Sequence, residues 1–475
     1  MKKFLIVLGV VAAIAVGAYY FFFAKNDVCR NVVPEDAKVV LVFDGKELVK
    51  QLDFSLRDII DLIKHSDDDK EEVGIDFLAP MYGFVTSDNY LCAAFALSDA
   101  EDFEESISEQ DVEVELQRGF KWFYKKDILL CFDSKKALLL GPVSKGESDG
   151  MRSKMVEWMN QGSHKIPMLS SIEDKDGILR MRTNLGVLPD TYSNQFEALC
   201  KNVDLKKVFF NVAFNLKEKA LVLSSEMDSE DEAYTKLVSE WSGYNRSIEG
   251  KQLQTPYEKP LALAVFNLDG EALAKKLGEN PTYGMILSQM NMFCNAGMML
   301  QAIDGNVTIA IDNVAEGLPR FYVTAQVKNK DFMKDSKNWG SGLASFGVQC
   351  QQLESDNYML GNNKDKIFFG VRDNLLYFAS DSEVAKNGGK YNSLKDGTEL
   401  KSLAKGKLSY ISLDIDKLKD SSFAKSAIEG KGEVFKEILS LLDRLNIITG
   451  EDRAVEVELT TKQKISDIIK ENVKK

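Results

Sequence analysis

The sequence predicts an α+β fold: two tandem similar halves, each an antiparallel sheet with helices packed on one face, preceded by a single N-terminal membrane helix. Three observations predict it. An uncharged apolar run, Phe4 to Phe23, opens the chain. One strand–turn–helix phrase occurs at Val39–Leu52 (VVLVFDGKELVKQL) and again at Leu261–Leu277 (LALAVFNLDGEALAKKL). Stretches such as NVTIAID (306–312) and VEVELTT (455–461) alternate apolar and polar residues, the pattern of antiparallel strands with one covered face.

The apolar run follows Lys2 and Lys3. As a helix of about 1.5 Å rise per residue it would span about 30 Å, the thickness of a bilayer core. Tyr19, Tyr20 and the three phenylalanines after them suit the membrane interface, and the amino-terminal lysines keep that end in the cytoplasm. The expected topology is a single pass through the inner membrane, with the amino terminus cytoplasmic and the body periplasmic. The alternative is export after signal cleavage. Val16-Gly17-Ala18 offers small residues for that cleavage, although apolar residues continue to Phe23. Cys29 follows Asn26-Asp27-Val28, which is no lipobox.

A chain of 475 residues exceeds one compact core. With 44% hydrophobic and 28% charged residues, it has globular rather than disordered composition. A net charge of -13 leaves no excess of Lys and Arg to displace phosphate counterions, which excludes a nucleic-acid partner. The two histidines, His65 and His164, argue against a multi-histidine metal site. No two of the six cysteines form a CxxC pair, so neither a zinc ribbon nor a thioredoxin-like pair is expected. Cys92 (YLCAAFAL) and Cys131 (ILLCFD) lie in apolar runs, as buried free thiols do. Export leaves a disulfide or two open as the alternative.

The repeated phrase organises the body. Asp44 and Asp269 lie 225 residues apart, and on that offset Gly45, Leu48, Lys50 and Leu52 meet Gly270, Leu273, Lys275 and Leu277. Each copy reads as a buried strand running into a helix. Asp44 and Glu47 have capping-box spacing, whereas the second copy has Ala272 in place of Glu47. Ile128–Gly141 and Ile367–Ser380 both read as hairpins. A hairpin followed by a polar helix is expected four times, at 82–107, 208–237, 307–334 and 447–470. The expected organisation is therefore residues 1–25 as anchor or signal segment, 30–248 as the first half and 257–475 as the second. A polar linker, SIEGKQLQTPYEKP (247–260), lies where they meet.

After the anchor, VVPEDAKVVLVFDGKELVKQL resembles the start of a family of uncharacterised cell-envelope proteins of Bacteroidota, a domain of unknown function. Pro34 and Ala37 match its Pro-x-x-Ala phrase before a strand. The resemblance implies an envelope location and supplies no catalytic residues.

Other motifs point to architecture. GESDG (146–150) fits the nucleophile-elbow pattern with Ser148 as nucleophile, but His164 follows too closely for the usual triad order. A polar helix start explains it better, since Ser and Asp bond free backbone N–H groups. GPVSKGES places Glu147 where a P-loop needs its phosphate-contacting lysine. HSDDDKEE (65–72) and EDKDG (173–177) are rich in carboxylates without EF-hand spacing. In MILSQMNMFCNAGMML (285–300), Met285, Met292 and Met299 recur every seven residues. That reads as a buried packing helix, with a groove for an apolar ligand or a soft-metal site at Met290, Met292 and Cys294 as alternatives.

No catalytic residue, cofactor site or metal site is assigned on these grounds. The expected function is a membrane-anchored, extracytoplasmic, non-enzymatic binding or scaffold protein of the cell envelope, meeting an envelope protein or an apolar ligand. Carriage of a lipid or other apolar ligand is one alternative, and a serine hydrolase using Ser148 is another.

Overall fold

The computed structural model describes residues 27–473 apart from 53–73, 109–113, 188–201 and 387–398. Shorter breaks fall at 250–252, 254, 280, 292–293, 315–317, 340, 342–343, 345–346, 355, 422–423, 426–427, 429 and 431–432. The expected membrane helix (Phe4–Phe23), the acidic run 65–72 and Cys200 lie outside the described residues. Among those described, no helix is long and apolar enough to cross a membrane. The described residues within Met1–Ser193, Leu205–Glu218 and Ser466–Lys475 form one compact unit; those within Asn194–Asp204 and Lys219–Ile465 form a second. The class is α+β, built on antiparallel strands.

The first unit contains β1 (Val39–Phe43), α1 (Gly45–Gln51), β2 (Met81–Val85), β3 (Leu91–Ala96), α2 (Ala100–Ser108), β4 (Glu115–Gln117) and β5 (Phe120–Lys125). It continues with β6 (Ile128–Phe132), β7 (Lys136–Gly141), α3 (Ser148–Asn160), β8 (Leu179–Asn184) and β9 (Val208–Lys217). Its strands run in the order β9-β8-β1-β2-β3-β7-β6-β5-β4, every neighbour antiparallel. β1 alternates half-buried and buried residues, so Val40 and Val42 point into the core beside Phe84, Ala94 and Leu138. Trp122, Leu129, Cys131 and Met155 fill the rest, each fully buried. Burying a side chain of that size contributes about 1.5–3 kcal/mol. α3 meets this core through Met151, Met155 and Met159, four residues apart and therefore on one helical face.

The second unit contains β10 (Ala220–Ser229), α4 (Glu232–Ser242), β11 (Ala262–Asp269), α5 (Gly270–Glu279), α6 (Pro281–Asn291), α7 (Ala296–Ala302), β12 (Ile303–Asn313) and β13 (Arg320–Val327). It continues with β14 (Gln349–Glu354), β15 (Asn357–Gly361), β16 (Lys366–Arg372), β17 (Leu375–Ala379), α8 (Ser382–Lys386), β18 (Ser409–Asp414), α9 (Ile415–Asp420), α10 (Glu433–Leu441), β19 (Leu442–Thr449) and β20 (Val455–Thr461). The last described helix, α11 (Ile465–Val473), belongs to the first unit apart from Ile465. The strand order is β10-β20-β19-β18-β11-β12-β13-β17-β16-β15-β14, again antiparallel throughout. Tyr322, Tyr377 and Tyr410 are fully buried; the Tyr377 hydroxyl donates to Asn357 at 2.7 Å and the Tyr410 hydroxyl to Asn446 at 3.1 Å. Trp339 stacks on Phe369 at 5.0 Å and 11°.

Three sequence expectations are corrected. The third hairpin copy ends in two short 3-10 turns, Asp331–Met333 and Ser336–Asn338, rather than a helix. The described residues of the polar segment 247–260 do not behave as a linker. Ile248, Leu253 and Tyr257 lie in the second unit's core, and the buried amides of Asn267 and Asn306 donate to the carbonyls of Ser247 and Glu249. The methionine-rich stretch is two helices, α6 and α7, rather than one. Asn291 ends α6 and turns its side chain onto the next helix, where its Oδ1 accepts from the Gly297 N–H at 2.8 Å. An amide used this way satisfies one of the unbonded donors at a helix start.

Candidate functional site

The strand-to-helix turns come first, because they position everything else. Asp44 accepts from the Glu47 N–H at 3.0 Å, Asp269 from the Ala272 N–H at 3.0 Å and Asp414 from the Lys417 N–H at 2.8 Å. Glu47 does not bond back as a capping box would; it holds Lys50 and Gln51 instead. These carboxylates accept from backbone N–H groups at the helix starts.

Ser148 opens α3, and its hydroxyl donates to the Lys145 carbonyl at 2.8 Å. Both ring nitrogens of His164 face backbone carbonyls, Gly162 at 3.0 Å and Val33 at 3.1 Å. The turn before α3 is closed by Glu147, which accepts from the Ser144 N–H and hydroxyl. A helix does start here, but the expected cap does not form: no side chain caps α3, and Ser148 donates to a carbonyl instead of accepting a free N–H. In the 173–177 loop, Glu173 takes both arms of Arg30, at 2.5 and 3.2 Å, and Arg180 donates to the carbonyls of Glu173 and Lys175. Glu173 thereby tethers the chain's first described residues. No group of three metal-ligating side chains occurs among the described residues.

The five described cysteines are unpaired: Cys29, Cys92 and Cys131 are buried, Cys294 and Cys350 half-buried. Burial pushes the Cys29 and Cys92 thiols up to about 12 and raises Cys131 as well. Thiols so far from ionisation are packing groups rather than nucleophiles.

A cleft of about 670 Å³ opens in the second unit beside β13, the β15–β16 turn and the start of α8. Arg320 lies in it between Asp312 at 3.2 Å and Asp381 at 3.1 Å, with its guanidinium 5.3 Å from the Tyr257 ring centre. Lys364, Lys366 and Asp365 complete a lining of mixed sign. The sequence carried no signal for this cluster, in which Arg320 and Asp381 alone lie 61 residues apart.

The surface that stands out chemically is α6. Tyr283, Ile286 and Met290 are exposed at 40%, 45% and 46%, and their i, i+3, i+7 spacing puts them on one face. Met285 of α6 and Met298 of α7 are exposed at 57% and 48%. From Asn280 to Ile303 the chain carries no charged residue, in a protein whose residues are 28% charged. The expectation of a buried packing helix fails for α6. α7 fulfils it in part: Ala296 and Ala302 are buried, and Met299 packs against a core cluster. The uncharged run was the legible signal; its exposure was not.

Fold and surface together define an α+β protein of antiparallel sheets with covering helices and one uncharged, outward-facing helix. Over residues 44–467 the chain matches the family described as Domain of unknown function (DUF4836), and it belongs to that family. No curated protein matches. Among solved structures it is similar to crystal forms IV, I and III of TP0453, at 11%, 10% and 13% identity. These alignments cover 42%, 46% and 46% of this chain and 80%, 88% and 89% of the other, with TM-scores of 0.26, 0.27 and 0.27. Likeness of that size carries no argument.

Proposed function

We propose that this chain is a membrane-anchored, extracytoplasmic protein of the cell envelope that acts by binding rather than catalysis. The observation that carries the reading is α6, an uncharged helix whose apolar stripe faces outward. An exposed apolar patch on an otherwise charged surface marks an interaction site. The Phe4–Phe23 run supports attachment through one helix, with the body outside the cytoplasm. We further read residues 30–248 and 257–475 as two similar halves. The order β8-β1-β2-β3-β7-β6-β5-β4 is matched step for step by β18-β11-β12-β13-β17-β16-β15-β14, and both halves begin on a strand–Asp-Gly–helix turn.

A photo-crosslinking amino acid in place of Tyr283, activated in intact cells producing the full chain, tests the reading. An adduct at that position supports a binding surface; its absence, with an adduct formed at none of Ile286 and Met290 either, ends it. Digestion of spheroplasts from outside tests the topology, since a body left intact would place it in the cytoplasm. A second reading, carriage of an apolar ligand, draws on the same exposed methionines. Organic extraction of the full chain followed by mass spectrometry separates the two: a stoichiometric lipid or other apolar molecule means a carrier.

A further inference from the structure

The cleft of the second unit carries charge that the fold does not use. Part of its wall is the β15–β16 turn, which Asn362 sets. The Asn362 Oδ1 accepts from the N–H groups of Lys364 and Asp365, both at 2.8 Å, and its own N–H donates to the Asp365 carbonyl at 2.9 Å. Gly361 lets the turn close, since a Cβ there would stand 2.2 Å from the Asp365 carbonyl oxygen. The turn so fixed brings Lys364 and Lys366 to the cleft. Neither ammonium has a hydrogen bond or an ion pair among the described residues, in a chain where acids outnumber bases by 73 to 60. The Asp365 carboxylate and the Ser382 hydroxyl, also in the lining, have no partner among them either.

The other charges of the cleft are engaged. Asp312 and Asp381 hold Arg320. Asp381 also accepts from the Glu383 N–H at 2.9 Å, and Lys417 stands 3.5 Å from Asp312. What stays open to a ligand is two cations, one carboxylate, one hydroxyl and the apolar surface of Leu318 and Phe368.

The first unit closes the counterpart of this cleft. On the two-halves reading above, Ile128 aligns with Ile367, which sets Asp127 against Lys366 and Val143 against Ser382. Val143 is buried; its N–H donates to the Asp127 carbonyl at 2.8 Å and its carbonyl accepts from the Tyr124 hydroxyl at 3.2 Å. The turn and the strand end are sealed there around a valine. In the second unit the same two places hold a lysine and a serine, and about 670 Å³ stands open beside them. Packing accounts for the first arrangement and not for the second.

We infer that this cleft binds a small phosphomonoester. Lys364 and Lys366 take the phosphate, whose charge of about -1.5 to -2 near neutral pH suits two ammonium groups. A carboxylate ligand is best met by a planar arginine fork, and that of Arg320 is already engaged. The Ser382 hydroxyl donates to a phosphate oxygen, Asp365 accepts from a hydroxyl of the ligand, and Phe368 and Leu318 meet its ring or apolar part. The volume falls within the range of small-molecule sites, about 300–1,000 Å³.

Isothermal titration calorimetry of the full chain in a neutral detergent tests this, with phenyl phosphate as the probe. One site with a dissociation constant of about 1 mM or tighter is expected. The K364A/K366A variant should bind at least about ten-fold more weakly, because it loses the charge-assisted contacts. Both lysines are exposed, so its urea midpoint should match the parent's. K126A, in the turn of the first unit, should bind as the parent does. Inorganic phosphate should bind more weakly than phenyl phosphate, since it leaves Phe368 and Leu318 uncovered. Methyl phenyl phosphate, a diester with a single charge, should also bind more weakly. No saturable heat with phenyl phosphate overturns the inference. So does parent-like binding by K364A/K366A, and so does equal binding of the diester, as a phospholipid headgroup would show. Crosslinking at Tyr283 of α6 is independent of all these results, so the binding-surface reading stands or falls separately.

Discussion

Gly270 lies under the carbonyl oxygen of Leu300: a Cβ built on it would stand 1.9 Å from that oxygen and 2.8 Å from the carbonyl of Ile303. Gly45 has the same relationship to the Phe77 carbonyl, also at 1.9 Å. In both places the chain that leads into the next strand crosses the first turn of the helix with no room for a side chain. The obstacle is backbone, which cannot rotate aside. Gly270→Ala and Gly45→Ala should each destabilise the protein by about 2–4 kcal/mol. Gly278, late in α5, has nothing within 4 Å of its Cβ position. Gly278→Ala should be neutral or stabilising by up to about 1 kcal/mol through lost unfolded-state freedom. Urea midpoints for the three variants check the contrast; equal effects would mean the close approach is not what these glycines serve.

The aspartates before these helices are separable from the glycines. Asp269→Ala removes one acceptor for the Ala272 N–H, and an N-cap loss costs about 1 kcal/mol. Asp414→Ala should cost more, up to about 2 kcal/mol, because Asp414 is buried and Arg444 stands 3.7 Å from its second oxygen. Thermal unfolding of both variants decides the order. Asp→Asn at either site should recover most of the loss, since an amide oxygen still accepts.

These turns were legible in the sequence because their signal is local. An Asp at a strand end, followed by leucines four apart, specifies a cap and a helix face within nine residues. Hairpins were legible for the same reason: Asp373-Asn374, both at positive φ, turn β16 into β17 as the polar pair between two apolar runs implies. What failed was long-range. Leu253 and Tyr257 sit among Ser, Gln and Lys, a composition that reads as solvated, and only the tertiary core explains their burial. The methionine stretch failed in the opposite sense. Uncharged and periodic, it has the pattern of a buried helix, and the pattern says that a face is apolar without saying what covers it. The Arg320 cleft was invisible because Asp312 comes from β12 and Asp381 from the link between β17 and α8.

α3 separates packing from chemistry. Met155 is fully buried on its inner face, while Ser148 spends its hydroxyl on a carbonyl of the preceding turn. Met155→Ala should cost about 2–5 kcal/mol, the range for truncating a buried methionine. Ser148→Ala should change stability by about 0.5 kcal/mol or less, as surface substitutions do. A fluorophosphonate should leave Ser148 unlabelled in the full chain. Labelling at that serine, lost in Ser148→Ala, would reopen the hydrolase reading.

Asp27 gives the fold a pH dependence of unusual sign for a carboxylate. Burial raises its pKa above the ordinary 3.8, against the lowering effects of the Tyr82 hydroxyl and the backbone bonds at Arg30 and Cys29. The folded chain thus holds this proton more tightly than the unfolded chain. The stability it contributes is fully present below the unfolded pKa and is lost as pH rises through the folded one. Asp416 works the other way: Lys419 and Lys462 hold it down to about 2, so its contribution is lost only as pH falls through that value. The Asp27 effect must therefore be read as a difference. Asp27→Asn cannot ionise, and its stability relative to the parent should increase as pH rises above the ordinary carboxylate range. Urea midpoints of both proteins through that rise measure it. A flat difference would mean that water reaches the Asp27 carboxylate, and that the first described residues are held by Arg30 and Glu173 instead.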